Sequence, residues 1–167
     1  MKPVRDTPCP CRDEGAKAPQ PMRVYVDANV LIHMMERTDE GAEASARLVA
    51  LAERGTLKLV TSELSLSEVL VGPIAKADPW LEKAYLDFLT DETLIELVPL
   101  SRATLIEAAH LRGKAMAPLA DCLHVACAEL CGCHLIFSYD RRLRELSKLE
   151  VDEPSHSRIF ELDRDKQ

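Results

Sequence analysis

Residues 22–30, Met22-Arg23-Val24-Tyr25-Val26-Asp27-Ala28-Asn29-Val30, decide the fold class. Residues 23–27 read as a strand, a short apolar run that ends on an acid. Residues 29–36 follow as a short helix. The same alternation continues outward along the chain. Residues 40–54 form an amphipathic helix, with Ala44, Leu48, Leu51 and Ala52 on one face and Gly55 as its stop. Residues 56–61 read as a second strand. Residues 62–70 read as a helix that Gly72-Pro73 breaks. A helix over 79–89 and a strand over 94–100 come next. Ser101 is an N-cap for a helix to about Arg112. Pro118 fits the first turn of a further helix, where its missing N–H costs nothing, and that helix ends near Gly132. Residues 133–139 are an apolar strand, 141–149 a short basic helix, and 157–162 a last edge strand. Strands alternating with helices imply parallel strands joined by βαβ crossovers.

The chain has 167 residues, which fits one domain over residues 22–167. A chain of this size buries roughly 68–70% of its unfolded surface and needs no disulfide or metal to fold. Residues 1–21 hold five of the ten prolines and read as an irregular, flexible extension containing Cys9 and Cys11. No apolar stretch at the N-terminus resembles a signal peptide, and no run reaches the length of a membrane span. A reducing cytoplasm with free thiols is therefore expected. The net charge of −7 argues against non-specific nucleic-acid binding by bulk charge, since phosphate neutralisation dominates such affinity.

Four acids stand in four settings. Asp27 ends the run Val24-Tyr25-Val26, and Glu68 lies within Ser65-Leu66-Ser67-Glu68-Val69-Leu70. Asp121 follows Pro118-Leu119-Ala120, and Asp140 follows Leu135-Ile136-Phe137-Ser138-Tyr139. Ligands of parallel sheets bind outside the carboxyl ends of the strands. Carboxylates gathered there repel one another and raise each other's pKa. A divalent cation reverses that penalty, and oxygen ligands favour Mg²⁺ or Mn²⁺. Each acid also has a bland reading. Asp27 and Asp140 are good N-caps, and Asp121 suits the positive end of a helix. Glu63 lies five residues before Glu68 and faces another way at about 100° per residue, so only one of the two points inward. Glu68, flanked by Leu66, Val69 and Leu70, is the one expected to do so. Asn29 and Ser138 are placed to orient carboxylates. His124, one turn after Asp121, either contacts Asp121 or is a satisfied core histidine.

The segments around Asp27-Ala28-Asn29, Glu68-Val69-Leu70-Val71-Gly72-Pro73, Asp121-Cys122-Leu123-His124 and Ser138-Tyr139-Asp140-Arg141-Arg142 resemble the motifs of PIN domains. They are most similar to VapC-type ribonuclease toxins of toxin–antitoxin systems, over about residues 22–150. One motif alone is a weak signal; four in order and at family-like separations are strong. The resemblance implies a three-layer α/β/α fold around a central, mostly parallel sheet of four or five strands. It implies Asp27, Glu68, Asp121 and Asp140 as catalytic and metal-binding acids, with Asn29 and Ser138 assisting. It further implies Mg²⁺- or Mn²⁺-dependent hydrolysis of RNA and a cognate antitoxin. A homodimer is also expected. Cys122 and Cys127 stand where the family more often has Ala or Thr.

Other constellations carry less. Cys9-Pro10-Cys11 and Cys131-Gly132-Cys133 lack the usual spacing of thiolate zinc sites, and buried small thiols are the plainer reading. Arg141 and Arg142, with Arg144 and Lys148, either contact RNA phosphates or form a solvated basic face. Two rivals to the toxin stay open: a catalytically weak RNA-binding module, and a nuclease of this kind outside toxin–antitoxin pairs. A metal phosphatase is disfavoured, because Asn29 stands where a second Asp is usual.

Overall fold

The computed structural model describes residues 20–36 and 40–164. The expected extension lies almost wholly outside the described residues, together with Cys9 and Cys11. In chain order the elements are β1 (Met22–Val26), α1 (Ala28–Glu36), α2 (Glu40–Glu53), β2 (Leu57–Ser62), α3 (Glu63–Val69), α4 (Val71–Lys76) and α5 (Pro79–Leu89). There follow β3 (Ile95–Val98), α6 (Arg102–Ala115), α7 (Leu119–Leu130), β4 (Leu135–Phe137), α8 (Leu143–Leu146), β5 (Glu150–Asp152) and α9 (His156–Arg164).

The strands form one sheet in the order β3-β2-β1-β4-β5, and every neighbouring pair is parallel. Side chains alternate between its faces. Val24, Val26, Leu57, Leu59, Leu135 and Phe137 point one way, into a core completed by α1, α2, α3, α5 and α9. Tyr25, Val60 and Ile136 point the other way, against α6, α7 and α8. That is the three-layer α/β/α arrangement. Leu48 and Leu51 on α2 are fully buried, and burying each contributes about 1.5–3 kcal/mol.

The topology places the site. From β1 the chain adds β2 and β3 on one side, then returns to lay β4 and β5 on the other. The order reverses between β1 and β4, and a crevice opens outside their carboxyl ends at such a switch point. Asp27 is the first residue past β1, and its N–H donates to the Phe137 carbonyl at 3.2 Å, extending the β1–β4 pairing by one step. Asp140 lies three residues past β4.

Several elements differ from the sequence expectation. The edge strand expected over 157–162 is instead helix α9. Ile159 and Leu162 are buried three residues apart, a helical spacing, and Arg158 pairs with Glu161 on the same element. The fifth strand is β5, just after the segment expected to be helical from 141 to 149, of which only α8 is helix. The strand expected over 133–139 narrows to β4. Gly72-Pro73 does break the helix, but both residues lie in the first turn of α4. Pro73 has no N–H for the Val69 carbonyl, so α3 stops at Val69 and a new helix begins after Leu70. Ser101 does cap α6, its Oγ accepting from the Thr104 N–H at 3.1 Å. Among the described residues no helix is long and apolar enough to cross a membrane.

Candidate functional site

Asp27 is 3% exposed and does two things at once. Its Oδ1 accepts from the Val30 N–H at 2.9 Å, so it caps α1. Its Oδ2 accepts a short bond from the Ser138 hydroxyl. Burial raises its pKa; the Ser138 and Val30 bonds work against that rise. Ser138 is itself buried, and its Oγ accepts from the Asp140 N–H at 2.9 Å. One hydroxyl thus ties the acid after β1 to the acid after β4.

Glu68 faces the same crevice from α3. Ser65, three residues earlier, is buried against Thr61, with 2.7 Å between the two hydroxyl oxygens, which orients the helix. Glu63 points elsewhere, is exposed, and its Oε2 accepts from the Leu100 N–H at 3.3 Å. Glu68 Oε2 lies 2.8 Å from His124 Nε2. His124 therefore meets Glu68 rather than Asp121. Its Nδ1 lies 2.8 Å from Tyr25 Oη. Nothing in the sequence spacing marked that link, because its three members come from β1, α3 and α7.

Asp121 lies in the first turn of α7, and burial raises its pKa, with Arg142 opposing and Asp140 adding to the rise. Asp121 Oδ2 is buried and has no hydrogen-bond donor. Arg142 approaches it at 3.7 Å, as an ion pair only. Arg142 is held mainly by Asp140: its Nε lies 3.0 and 2.9 Å from the two carboxylate oxygens, and its N–H donates to Oδ1 at 2.9 Å. The Arg142 guanidinium accordingly holds the Asp140 carboxyl below its usual range. An Asp that accepts from the N–H two residues on is a turn signal that the sequence did contain.

Together Asp27, Glu68, Asp121 and Asp140 line a cavity of about 190 Å³, with Asn29 and His124 beside them and Ile32 and Leu143 as apolar wall. The four acids share this cavity, yet among the described residues no three or more His, Cys, Asp or Glu form a group set to hold an ion. Each is drawn to its own partner: Asp27 to Ser138, Glu68 to His124, Asp140 to Arg142. Asp121 alone of the four keeps a buried oxygen without a donor.

The basic segment beside Asp140 is largely paired. Arg141 lies 3.7 Å from Glu153, Arg144 lies 3.5 Å from Asp152, and Lys148 lies 3.0 Å from Glu129. Arg141 remains 81% exposed, so it is the cation there most open to an incoming phosphate. Cys122, Cys127, Cys131 and Cys133 are free thiols, all but Cys131 buried.

The geometry ranks the two glutamates. Glu68→Gln is expected to weaken divalent-ion binding about tenfold or more, as loss of one charged ligand does. Glu63→Gln costs at most about 0.3–1 kcal/mol of stability at the start of α3. Isothermal titration with Mn²⁺ and urea unfolding of both variants check this, and the reverse ranking would place the wrong face of α3 at the crevice.

The family model for the PIN domain matches residues 24–149, a span that contains all four acids. No curated protein matches the chain in sequence. Solved structures do resemble it. VapBC2 from Rickettsia felis, bound to a DNA fragment from its promoter, is 15% identical, covers 79% of this chain and 98% of its own, and has a TM-score of 0.64. FitAcB from Neisseria gonorrhoeae is 16% identical, with 80% and 99% coverage and a TM-score of 0.61. VapC20 from Mycobacterium tuberculosis, a toxin that cleaves the sarcin-ricin loop, is 13% identical, with 73% and 93% coverage and a TM-score of 0.60. At such identities the likeness is one of fold.

Proposed function

The chain belongs to the PIN domain family, and on that premise we propose that it is a Mg²⁺- or Mn²⁺-dependent endoribonuclease, the toxin of a type II toxin–antitoxin pair. The observation that carries this reading is the cavity at the β1/β4 switch point, lined by four carboxylates, one with a buried oxygen lacking any donor. A carboxylate oxygen left so needs a cation or a proton. The donor set is all oxygen, which suits Mg²⁺ or Mn²⁺. Asp27, Glu68, Asp121 and Asp140 are the residues that would hold the ion.

A bound divalent ion would lower the pKa of a water and stabilise charge on the scissile phosphate. The chain's own residues prepare that site. Ser138 and the Val30 N–H fix both oxygens of Asp27, so its carboxylate does not have to find its rotamer on binding. Asn29, exposed in the first turn of α1 and lining the cavity, offers an amide N–H to a phosphate oxygen. Arg141, 81% exposed, and Arg142, 3.7 Å from Asp121, are the cations assigned to an RNA backbone. The acidic net charge makes such local positive charge necessary.

The VapBC and FitAB neighbours support an antitoxin as partner. An apolar face on α4 and α5, with Val71, Ile74 and Trp80 60–82% exposed, supports a homodimer. The compartment expected is the cytoplasm.

The test is RNA cleavage by the purified chain with Mn²⁺, Mg²⁺ or excess EDTA, with RNA affinity measured at several salt concentrations. Cleavage is expected with metal and not with EDTA. Arg141→Ala with Arg142→Ala should lower RNA affinity and reduce the log–log salt slope by about one unit per lost phosphate contact. RNA binding without turnover under any metal would instead assign a non-catalytic RNA-binding module. Turnover with no antitoxin gene beside the toxin gene would assign a nuclease outside such pairs.

A further inference from the structure

We propose that His124 is a positioning residue for Glu68, holding that carboxylate at the cavity wall through a buried relay that starts at Tyr25. The inference rests on the reading of Glu68 as a metal ligand. His124 is 5% exposed on α7, and both ring nitrogens are engaged. Nε2 lies 2.8 Å from Glu68 Oε2, and Nδ1 lies 2.8 Å from Tyr25 Oη. The Tyr25 hydroxyl is also 3.0 Å from Ser62 Oγ, and its ring stands edge-on to the imidazole at 5.8 Å. Tyr25 is fully buried in β1, the central strand of the sheet.

The proton inventory gives the relay a direction. A carboxylate only accepts, so Nε2 donates to Glu68. The neutral ring then accepts at Nδ1, and the phenol supplies that proton. Both imidazole nitrogens and the buried phenol oxygen have partners, as burial demands. A histidine serving only the core would need no partner on the cavity wall. Here the last acceptor is one of the four acids that line it.

The physical effect is on freedom. Glu68 sits on a helix of seven residues, and its side chain is 32% exposed. Left unanchored, such a side chain samples several rotamers, and ordering it on metal binding costs entropy. The bond from His124 fixes one rotamer through Oε2 and leaves Oε1 for the ion. Hydrogen bonds to ligating groups of this kind are worth about 10–100-fold in metal affinity.

The experiment is isothermal titration of the full chain with Mn²⁺ for wild type, His124→Ala, His124→Gln, Tyr25→Phe, Glu68→Gln and the pair Glu68→Gln with His124→Ala. His124→Ala is expected to lower affinity about 10–100-fold. His124→Gln, whose amide N–H reaches toward the same oxygen, recovers part of that loss. Tyr25→Phe, which leaves Nδ1 without its donor, loses a few-fold. In the Glu68→Gln background His124→Ala changes affinity by less than about twofold, because coupled residues are non-additive. The relay is overturned, with the metal site intact, by an equal loss in both backgrounds. It is equally overturned if no His124 or Tyr25 variant weakens binding while Glu68→Gln does. Wild type that takes up no Mn²⁺ overturns the relay and the metal reading together. Should His124→Ala not fold, His124→Gln and Tyr25→Phe keep the buried volume and carry the same comparison, with circular dichroism as the check on folding.

Discussion

Asp121→Asn and Asp27→Asn are each expected to remove metal-dependent RNA cleavage, by at least about 100-fold, while neither lowers stability in chelator. The two halves have separate causes. Metal catalysis supplies several kcal/mol of transition-state stabilisation, and 1.36 kcal/mol is about tenfold in rate, so losing one charged ligand costs about two decades or more. Stability moves the other way. Burial and neighbouring acids raise the pKa of Asp121, and burial raises that of Asp27, so the folded chain disfavours both charges when no cation offsets them. Asn keeps the shape and removes the charge. At position 27 its Oδ1 still accepts from the Val30 N–H, and its amide donates to Ser138, so the α1 cap persists. At position 121 the amide removes the cost of burying the charge and the repulsion from Asp140 and Glu68, which together outweigh loss of the 3.7 Å ion pair with Arg142. Midpoints of urea unfolding in EDTA should therefore hold or rise, within about 1 kcal/mol of wild type. Full cleavage by either variant would sink the assignment of these acids. A collapse of stability would instead make them structural caps.

How far the site was legible follows from the kind of signal each residue gave. Asp27 and Asp140 were legible because an apolar run ending in an acid is a local pattern, and parallel sheets use strand ends for chemistry. Glu68 was separable from Glu63 by helix period, its apolar neighbours Leu66, Val69 and Leu70 marked it as the inward one, and the structure turns Glu68 to the cavity and Glu63 to the Leu100 N–H. The His124–Glu68 and His124–Tyr25 contacts span 56 and 99 residues and depend on how α7 packs on the sheet, which no spacing encodes. The fold failed to read at its C-terminal end. β5 has three residues and α8 four, too few for either period to declare itself. In α9, Phe160 and Leu162 stand two apart, as on one face of a strand, while Ile159 and Leu162 obey the helix period. Packing of both against the α2 side of the sheet decided for helix. Pro73 was read correctly as a breaker, but the chain resumed its helix within one residue, which the proline's missing N–H permits and does not dictate.

Mn²⁺ should raise the melting temperature in a concentration-dependent way, and by more at pH 7.5 than at pH 5. An ion that binds only the folded chain stabilises by about 2.7 kcal/mol at a hundred times its Kd. At about 2–4 °C per kcal/mol for a domain of this size, that is roughly 5–10 °C. The pH dependence comes from the acids. Asp27 and Asp121 have folded pKa values raised above their unfolded ones. Such a carboxyl contributes stability that is fully present below the unfolded value and is lost as pH rises through the folded value. Asp140 runs the other way: Arg142 depresses it, so its contribution is present above the unfolded value and is lost as pH falls through the folded one. In chelator, then, stability slips as pH climbs above the ordinary aspartate range, where Asp27 and Asp121 are forced to ionise against burial. Bound Mn²⁺ selects the ionised forms and competes with protons for the same oxygens. The gain from metal therefore grows over the window in which stability without metal declines. Calorimetry at both pH values, across a Mn²⁺ series and in EDTA, reads this directly. Melting temperatures that stay flat through the titration would leave the four acids as paired side chains with no ion to share. A larger gain at pH 5 would mean that the ion binds elsewhere than at the two raised carboxyls.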